Sequence, residues 1–495
     1  MALRIFDRPK SRDSRPGSPI LPTKNQSPLC STGSVGFPKR YTRMGVLAMI
    51  ALSAFLFFYG FEKTETIINN MRHPPLYERY HEYEDNLPQH NPDLPYPEGR
   101  DAKFFWASNH VTHSGWGNAM QELLVNAHLA YVTKRSFVFD NFTWERGTSE
   151  YSDYYGKLIP ARVPLSSMIS GPLIGGPFEA GDDAPRAVSR KYYEKMCPKS
   201  KRVVIDSEEV NDETIRYSKT IGAAYMFDRW VEKLNSIEDQ CVEILQDSYQ
   251  LFEIWVFGSR RILDIWPRLS QSPLLKNFRW SPLIRSAFKA NLHLFRPFSW
   301  FSYLFSKAEE IAIPPDESDA PYPGLLVLHI RRGDFKEHCT HLANWSADWN
   351  GFNSFPEFID KFSPPPGGGW GVTTPENTAL YLKHCYPTIE QIVEKVADVK
   401  KTSEGLKNVY IMTNGGTLWV GELRKALKKA HGWNQIASSS DLRLNREQKY
   451  VAQTVDMMIG QRAQVFIGNG FSSLTSNIIM LRMAKGAMPE TNRFW

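Results

Sequence analysis

The spacing of apolar and polar positions changes several times along the chain, and each change marks an element. The first sustained apolar stretch, Met44 to Phe61, has eighteen residues and no charge. As a helix rising about 1.5 Å per residue it measures about 27 Å, enough for a thin bilayer core. From 62 to 100 no apolar period is sustained, and Pro74, Pro75, Pro88, Pro92, Pro95 and Pro97 among Tyr, Glu and His read as a stem. From about Gly117 to Tyr131 the period is helical, and Ser136-Phe-Val-Phe139 follows as a short buried strand. Arg202-Val-Val-Ile-Asp206 predicts another strand, and Tyr225 to Phe305 is helical in spacing and rich in aromatics. Ile313 to Gly324 then interrupts the pattern with four prolines and three acids, which marks a domain boundary. Beyond it Leu325–Ile330, Asn408–Met412 and Gln464–Ile467 are continuous apolar runs of strand length, suited to a parallel sheet covered on both faces. Helical stretches at Thr417–Ala430 and Arg446–Gln461 separate them, the alternation of a doubly wound α/β domain. Phe362 to Trp370, with its Pro-Pro-Pro-Gly-Gly-Gly run, reads as a loop excursion on that domain.

The expected organisation is a tail (1–43), an apolar anchor (44–61), a stem (62–100), a first α/β domain (101–312), a linker (313–324) and a second α/β domain (325–495). A chain of 495 residues has material for two cores. Charge sharpens this picture. The whole chain carries +6, but residues 1–43 hold nine Lys or Arg against Asp7 and Asp13, a local +7, so the remainder stands at −1. The basic excess sits in a Ser/Pro-rich tail, which argues against a nucleic-acid binder. Lys39, Arg40 and Arg43 flank the apolar run on one side. The basic leader is longer, and the run itself longer, than a cleaved signal peptide has, and a buried core helix would lack the one-sided flank. The positive-inside rule then predicts a single-pass type II protein, N-terminus cytosolic and the rest in the lumen of the endoplasmic reticulum or Golgi. Of five cysteines, Cys197, Cys241, Cys339 and Cys385 would lie in that oxidising lumen, where two disulfides are permitted in any of three pairings. Asn141-Phe-Thr and Asn344-Trp-Ser are glycosylation sequons on the same side.

Ligands of open α/β sheets bind at the carboxyl ends of the strands. Three such places carry chemistry here. His329-Ile-Arg-Arg-Gly-Asp-Phe335 delivers His329, Arg331 and Arg332 at a strand end, where forked guanidinium donors suit a diphosphate or, alternatively, pair with Asp334. Phe466-Ile-Gly-Asn-Gly-Phe-Ser-Ser-Leu-Thr475 passes from strand to a helix opened by Ser472 or Ser473. Its N–H groups offer a phosphate site, although serine is also a common helix cap. His113-Ser-Gly-Trp-Gly-Asn118 is a glycine turn before a helix in the first domain, and fits neither the P-loop nor the dinucleotide fingerprint. No Cys or His spacing suggests zinc, and Asp206-Ser-Glu208 is the nearest approach to a metal-binding carboxylate pair, so no metal is expected.

These places resemble the O-fucosyltransferase-like family, over about Phe104 to Trp495. The resemblance rests on Gly-x-Gly-Asn at Gly115–Asn118, His-x-Arg-Arg-Gly-Asp-Phe at His329–Phe335, and a block from Asp456 to Thr475. It implies a GT-B architecture of two Rossmann-like domains facing across a cleft, GDP-fucose as donor, inversion at the sugar, and no required cofactor or metal. By motif position Arg331 would hold the β-phosphate and assist its departure, and His329 would contact the nucleotide. Asp456 would read the guanine edge, Ser472 and Ser473 would bind phosphate, and Gly117 and Asn118 would reach the donor from the first domain. Some members place a carboxylate base where this chain has Gly115, which leaves Glu122 and Asp334 to be considered. The acceptor would be a glycoprotein or glycan hydroxyl. The alternatives are another nucleotide deoxysugar as donor, and a relative that binds glycans or scaffolds without catalysis.

Overall fold

The computed structural model describes residues 73–295 and 320–495. The tail, the apolar run Met44–Phe61, the first part of the stem and linker residues 313–319 lie outside the described residues. Among the described residues no helix is long and apolar enough to cross a membrane.

Two five-stranded sheets, parallel throughout, organise the fold. The first is built from β1 (Phe104–Trp106), β2 (Ser136–Phe139), β3 (Val188–Ser189), β4 (Arg202–Ile205) and β5 (Cys241–Ile244), in the order β3-β2-β1-β5-β4. The second contains β6 (Tyr322–Ile330), β7 (Asn408–Thr413), β8 (Gln435–Ser438), β9 (Ala463–Gly468) and β10 (Asn492–Phe494), in the order β8-β7-β6-β9-β10. In each sheet the winding reverses beside the first strand, between β1 and β5 and between β6 and β9. A doubly wound sheet opens its ligand crevice at such a point. The fold is thus α/β with two parallel sheets, as the strand and helix alternation indicated.

Side chains of β6 alternate between two covered faces. Leu326, Leu328 and Ile330 pack with Val409, Ile411, Val465 and Ile467 in one core, while Leu325 and Val327 join Tyr410, Met412 and Phe466 in another. The second of these cores continues into the first lobe through α1 (Trp116–Val132) and α2 (Pro282–Ala290). Around the second sheet run α3 (Phe335–Asn344), α4 (Pro375–Cys385), α5 (Ile389–Thr402), α6 (Thr417–His431), α7 (Ala452–Gln461) and α8 (Ser473–Ala484). Gln121 on α1 donates to Ser476 on α8 at 2.9 Å, so the two lobes meet through these helices.

Several expectations are corrected. The stretch Tyr225–Phe305 is not continuously helical over its described part. Cys241–Ile244 forms a strand between β1 and β4, because this short apolar segment completes the sheet, and Pro267, Pro273 and Pro282 each open a new short helix. Arg446–Gln461 is two helices, broken at the buried Val451. The described part of the stem lies against the folded body: Tyr77 is fully buried and donates its hydroxyl to the Glu447 carbonyl at 2.8 Å. Disulfides join Cys197 to Cys241 and Cys339 to Cys385, the second tying α3 to α4.

Candidate active site

An open cleft of about 510 Å³ lies at the carboxyl ends of β6 and β7, beside the switch point of the second sheet. His329, Arg331 and Asp334 line it from β6 and the loop after it, Met412 and Thr413 from β7, Asn414 from just beyond β7, Gln453 and Asp456 from α7, and Leu474 from α8. Tyr154 and Tyr155 close it from the first lobe.

Alternation along β6 separates the two arginines. Arg331 continues the face of Leu325, Val327 and His329 and enters the cleft; Arg332 continues the other face. The Arg332 guanidinium donates to the Pro387 carbonyl and lies between the rings of Tyr386 and Trp419, 4.3 and 4.1 Å from their centroids. It is a structural group. Arg331 packs over Phe335 at 4.4 Å and stands 3.9 Å from Asp334, whose side chain is 59% exposed. An exposed pair at that distance contributes about 0–1 kcal/mol. The Arg331 Nε is buried and has no hydrogen-bond partner. Burial lowers its pKa, with Asp334 and Tyr154 acting the other way. A half-buried, forked guanidinium whose Nε has no partner, beside an open cleft, suits an anionic ligand.

His329 is buried, its Nδ1 2.7 Å from the Thr475 hydroxyl, and its carbonyl accepts from the Trp495 indole at 2.8 Å. Burial, and secondly the charge of Arg331, press its pKa down to about 3. The ring is therefore neutral and works as a hydrogen-bonding group. Asp456 accepts from the Tyr410 hydroxyl at 2.7 Å and from Ser439, whose single proton is shared between its oxygens at 2.9 and 3.1 Å. Two donated protons leave about half of a carboxylate's four acceptor positions open. Burial raises its pKa to about 6, while Tyr410 and Ser439 pull the other way.

The remaining expected site residues gather where α1 crosses α8, next to Leu474. A methyl group on Gly117 would stand 2.6 Å from Ser473 Oγ and 2.7 Å from the Leu474 nitrogen, so this glycine permits helix contact. Asn118 donates to Ser114 at 2.8 Å. Ser472 is buried at the N-cap of α8 without a side-chain capping bond, and α1 is also uncapped behind Gly115. The glycines before the serines make room for protein side chains: a methyl on Gly468 would meet Thr475, and one on Gly470 the Trp349 ring.

The two considered bases separate. Asp334 lines the cleft, whereas Glu122 lines a different, small cavity of about 40 Å³ with His110, Trp116, Asn126 and Asn141. Each of these five side chains has a buried polar atom without a partner, and the space has room for a water or two. Glu122 accepts from the Val111 N–H at 2.7 Å, and burial raises its pKa to about 8. The Asp206–Glu208 pair is structural: Asp206 caps a short turn, and Glu208 bonds Arg216 at 2.8 Å. Among the described residues no group of His, Cys, Asp and Glu could hold a metal ion.

Comparison with known families decides the class. The family model described as GDP-fucose protein O-fucosyltransferase matches residues 216–485, more than half of the chain. The chain belongs to this family. It is a glycosyltransferase of the fucosyltransferase type, and GDP-fucose is the donor of the family that it matches. The matched stretch holds His329–Phe335 and Asp456–Thr475, while Gly115–Asn118 precedes it. No curated protein matches the enzyme. Among solved structures it is similar to POFUT1 in complex with GDP-fucose, at 16% identity and a TM-score of 0.45, covering 80% of this chain and 98% of that one. It is also similar to the NodZ α-1,6-fucosyltransferase soaked with GDP-fucose (12% identity, TM-score 0.34, 77% and 92% covered). The fucosyltransferase NodZ from Bradyrhizobium stands at 11% identity and a TM-score of 0.32, with 78% and 94% covered.

Sequence reasoning missed Tyr154, Tyr155, Met412, Thr413, Asn414 and Gln453. Thr413 and Asn414 had a signal, since they end the apolar run Asn408–Met412, and strand ends carry sites in this architecture. The tyrosines had none, because only chain folding brings their hairpin over the second sheet.

Proposed function

We propose that the enzyme transfers fucose from GDP-fucose to a hydroxyl of a glycoprotein or glycan, with inversion at the sugar carbon and without a metal, on a GT-B-like pair of lobes. The observation that carries this reading is Arg331, whose buried Nε lacks a partner at the carboxyl end of β6. In transfer the acceptor oxygen attacks the sugar carbon from one face while the bond to the β-phosphate oxygen breaks on the other. Negative charge grows on that phosphate, and a fixed guanidinium stabilises it more in the transition state than in the ground state. The α8 N-terminus offers unpaired N–H groups to the phosphates. Asp456 takes the paired N–H donors of guanine. The proton of the acceptor passes to Asp334, the carboxylate beside Arg331 on the cleft wall, or late to phosphate or water.

The apolar run Met44–Phe61 with its basic flank supports anchoring as a single-pass type II protein of the Golgi or endoplasmic reticulum. Two disulfides accord with an oxidising lumen. Purified enzyme incubated with GDP-fucose, GDP-mannose and UDP-linked sugars should hydrolyse or transfer from GDP-fucose alone. Preference for a UDP-sugar would overturn the donor, and digestion of the C-terminal part by protease added to intact microsomes would overturn the topology.

A further inference from the structure

Two tyrosines at the tip of a hairpin form the first-lobe wall of the cleft. Tyr151–Tyr154 pairs antiparallel with Lys157–Pro160, and Tyr155 and Gly156 make the two-residue turn between them. Both turn residues have positive φ, 51° and 79°, as in a type I′ turn. Asn, Asp or Gly ordinarily occupies the first of these positions, and a tyrosine there carries a steric cost that they largely avoid. Gly156 is held by its N–H to Asp153 at 2.9 Å. Tyr154 is braced edge-on against the Trp144 ring, with centroids 5.0 Å apart, and Tyr155 stands edge-on to Tyr154 at 4.9 Å. Tyr155 is 86% exposed, so core packing does not explain it. Across the cleft stand His329, Arg331 and Asp334. Tyr154 feels the charges of both Arg331 and Asp334, which places the tip at the arginine end of the site.

If Arg331 holds the diphosphate and Asp456 the base, the donor's sugar is what remains between the phosphate and the first lobe. We propose that Tyr154 and Tyr155 are a platform for that sugar, one ring packing on its C–H face and the other, edge-on to the first, walling its side, while Arg331 grips the diphosphate. This rests on the donor reading above. A 6-deoxyhexose presents a methyl group where other hexoses carry a hydroxymethyl, so it has more apolar surface to bury on an aromatic ring. The platform thereby discriminates among sugars attached to the same nucleotide, which neither Arg331 nor Asp456 can do.

Calorimetry on the full chain tests the proposal by comparing GDP with GDP-fucose. Tyr155→Ala and Tyr154→Ala should leave the GDP affinity within about twofold and weaken GDP-fucose about five- to tenfold. Tyr154→Phe should stay near the wild type. The tip is at the surface, and unchanged melting temperatures will confirm that the variants fold. Normal GDP binding with unchanged GDP-fucose affinity in both alanine variants overturns the platform alone. Equal weakening of GDP and GDP-fucose also overturns it, by placing the tyrosines at the nucleotide. A wild-type enzyme that does not bind GDP overturns the donor reading and the platform together.

Discussion

Gly117 and Ser473 touch where the first turns of α1 and α8 cross, so closely that a Cβ on Gly117 would lie 2.6 Å from the serine hydroxyl. Gly117→Ala therefore pushes against the Leu474 backbone as well as a side chain. Overpacking of this kind costs about 1–3 kcal/mol. The expected result is a lower melting temperature and, because the α8 N-terminus shifts, weaker GDP binding. A variant equal to the wild type in both would show that the contact is not structural.

Arg331→Ala should lower kcat by roughly 10² to 10³, as for loss of one preorganised electrostatic donor, with little loss of stability. Lysine should rescue only in part, since a point charge does not reproduce the forked contact. Arg332→Ala should do the reverse, lowering stability by about 2–4 kcal/mol by emptying the space between Tyr386 and Trp419. Asp334→Ala separates the two explanations of Arg331, because a merely structural pair would make it match Arg331→Ala in melting temperature. Near-full transfer by a folded Arg331→Ala enzyme would refute its catalytic role.

GDP binding should strengthen as pH rises through about 6 and level off above it. The raised pKa of Asp456 means that its carboxyl is only half ionised there, and the ionised form is the acceptor that guanine requires. Asp456→Ala should reduce this pH dependence to the part that comes from ionisation of the terminal phosphate of GDP, and narrow the GDP over UDP preference by about 1–3 kcal/mol. A flat profile in the wild type between pH 5 and 7 would contradict the assignment.

Glu122 sets a different pH dependence, one of stability. Its folded pKa is raised to about 8 from 4.5, so the unfolded chain gains by ionising first. Its stabilising contribution is complete below about pH 4.5 and is lost as pH climbs to about 8, on the order of a few kcal/mol. Glu122→Gln, which keeps the shape, should flatten this part of the melting profile and raise the melting temperature at pH 8. An unchanged slope would show that Glu122 is already ionised in the folded enzyme.

The legible part of this protein lay in its long elements. The run Leu325–Ile330 announced a strand covered on both faces, and its period of two already separates Arg331 from Arg332: counting from the buried Val327, only the odd residues can share the face of His329. The short strands were less visible. Cys241–Ile244 has four residues within an aromatic stretch, and only its place between β1 and β4 makes it a strand. Gly117, Gly468 and Gly470 stood out in the sequence as turn residues beside a phosphate site, whereas the space at them is taken by α8, Thr475 and Trp349. The tyrosine wall depends on contacts between segments far apart in the chain, and no local pattern contains those.

The crossing of α1 and α8 also bears on how the polypeptide is made. Gln121 and Ser476 are 355 positions apart, so the part of α1 that packs on α8 stays uncovered until α8 exists, while the rest of the helix packs on elements of the first lobe. At the usual pace of synthesis, about 5–20 residues per second, that interval lasts roughly 20 to 70 seconds. Gln121 and the part of α1 around it that meets α8 must pass that time exposed or in the keeping of a chaperone. The first lobe, though synthesised first, gains this contact only with the second.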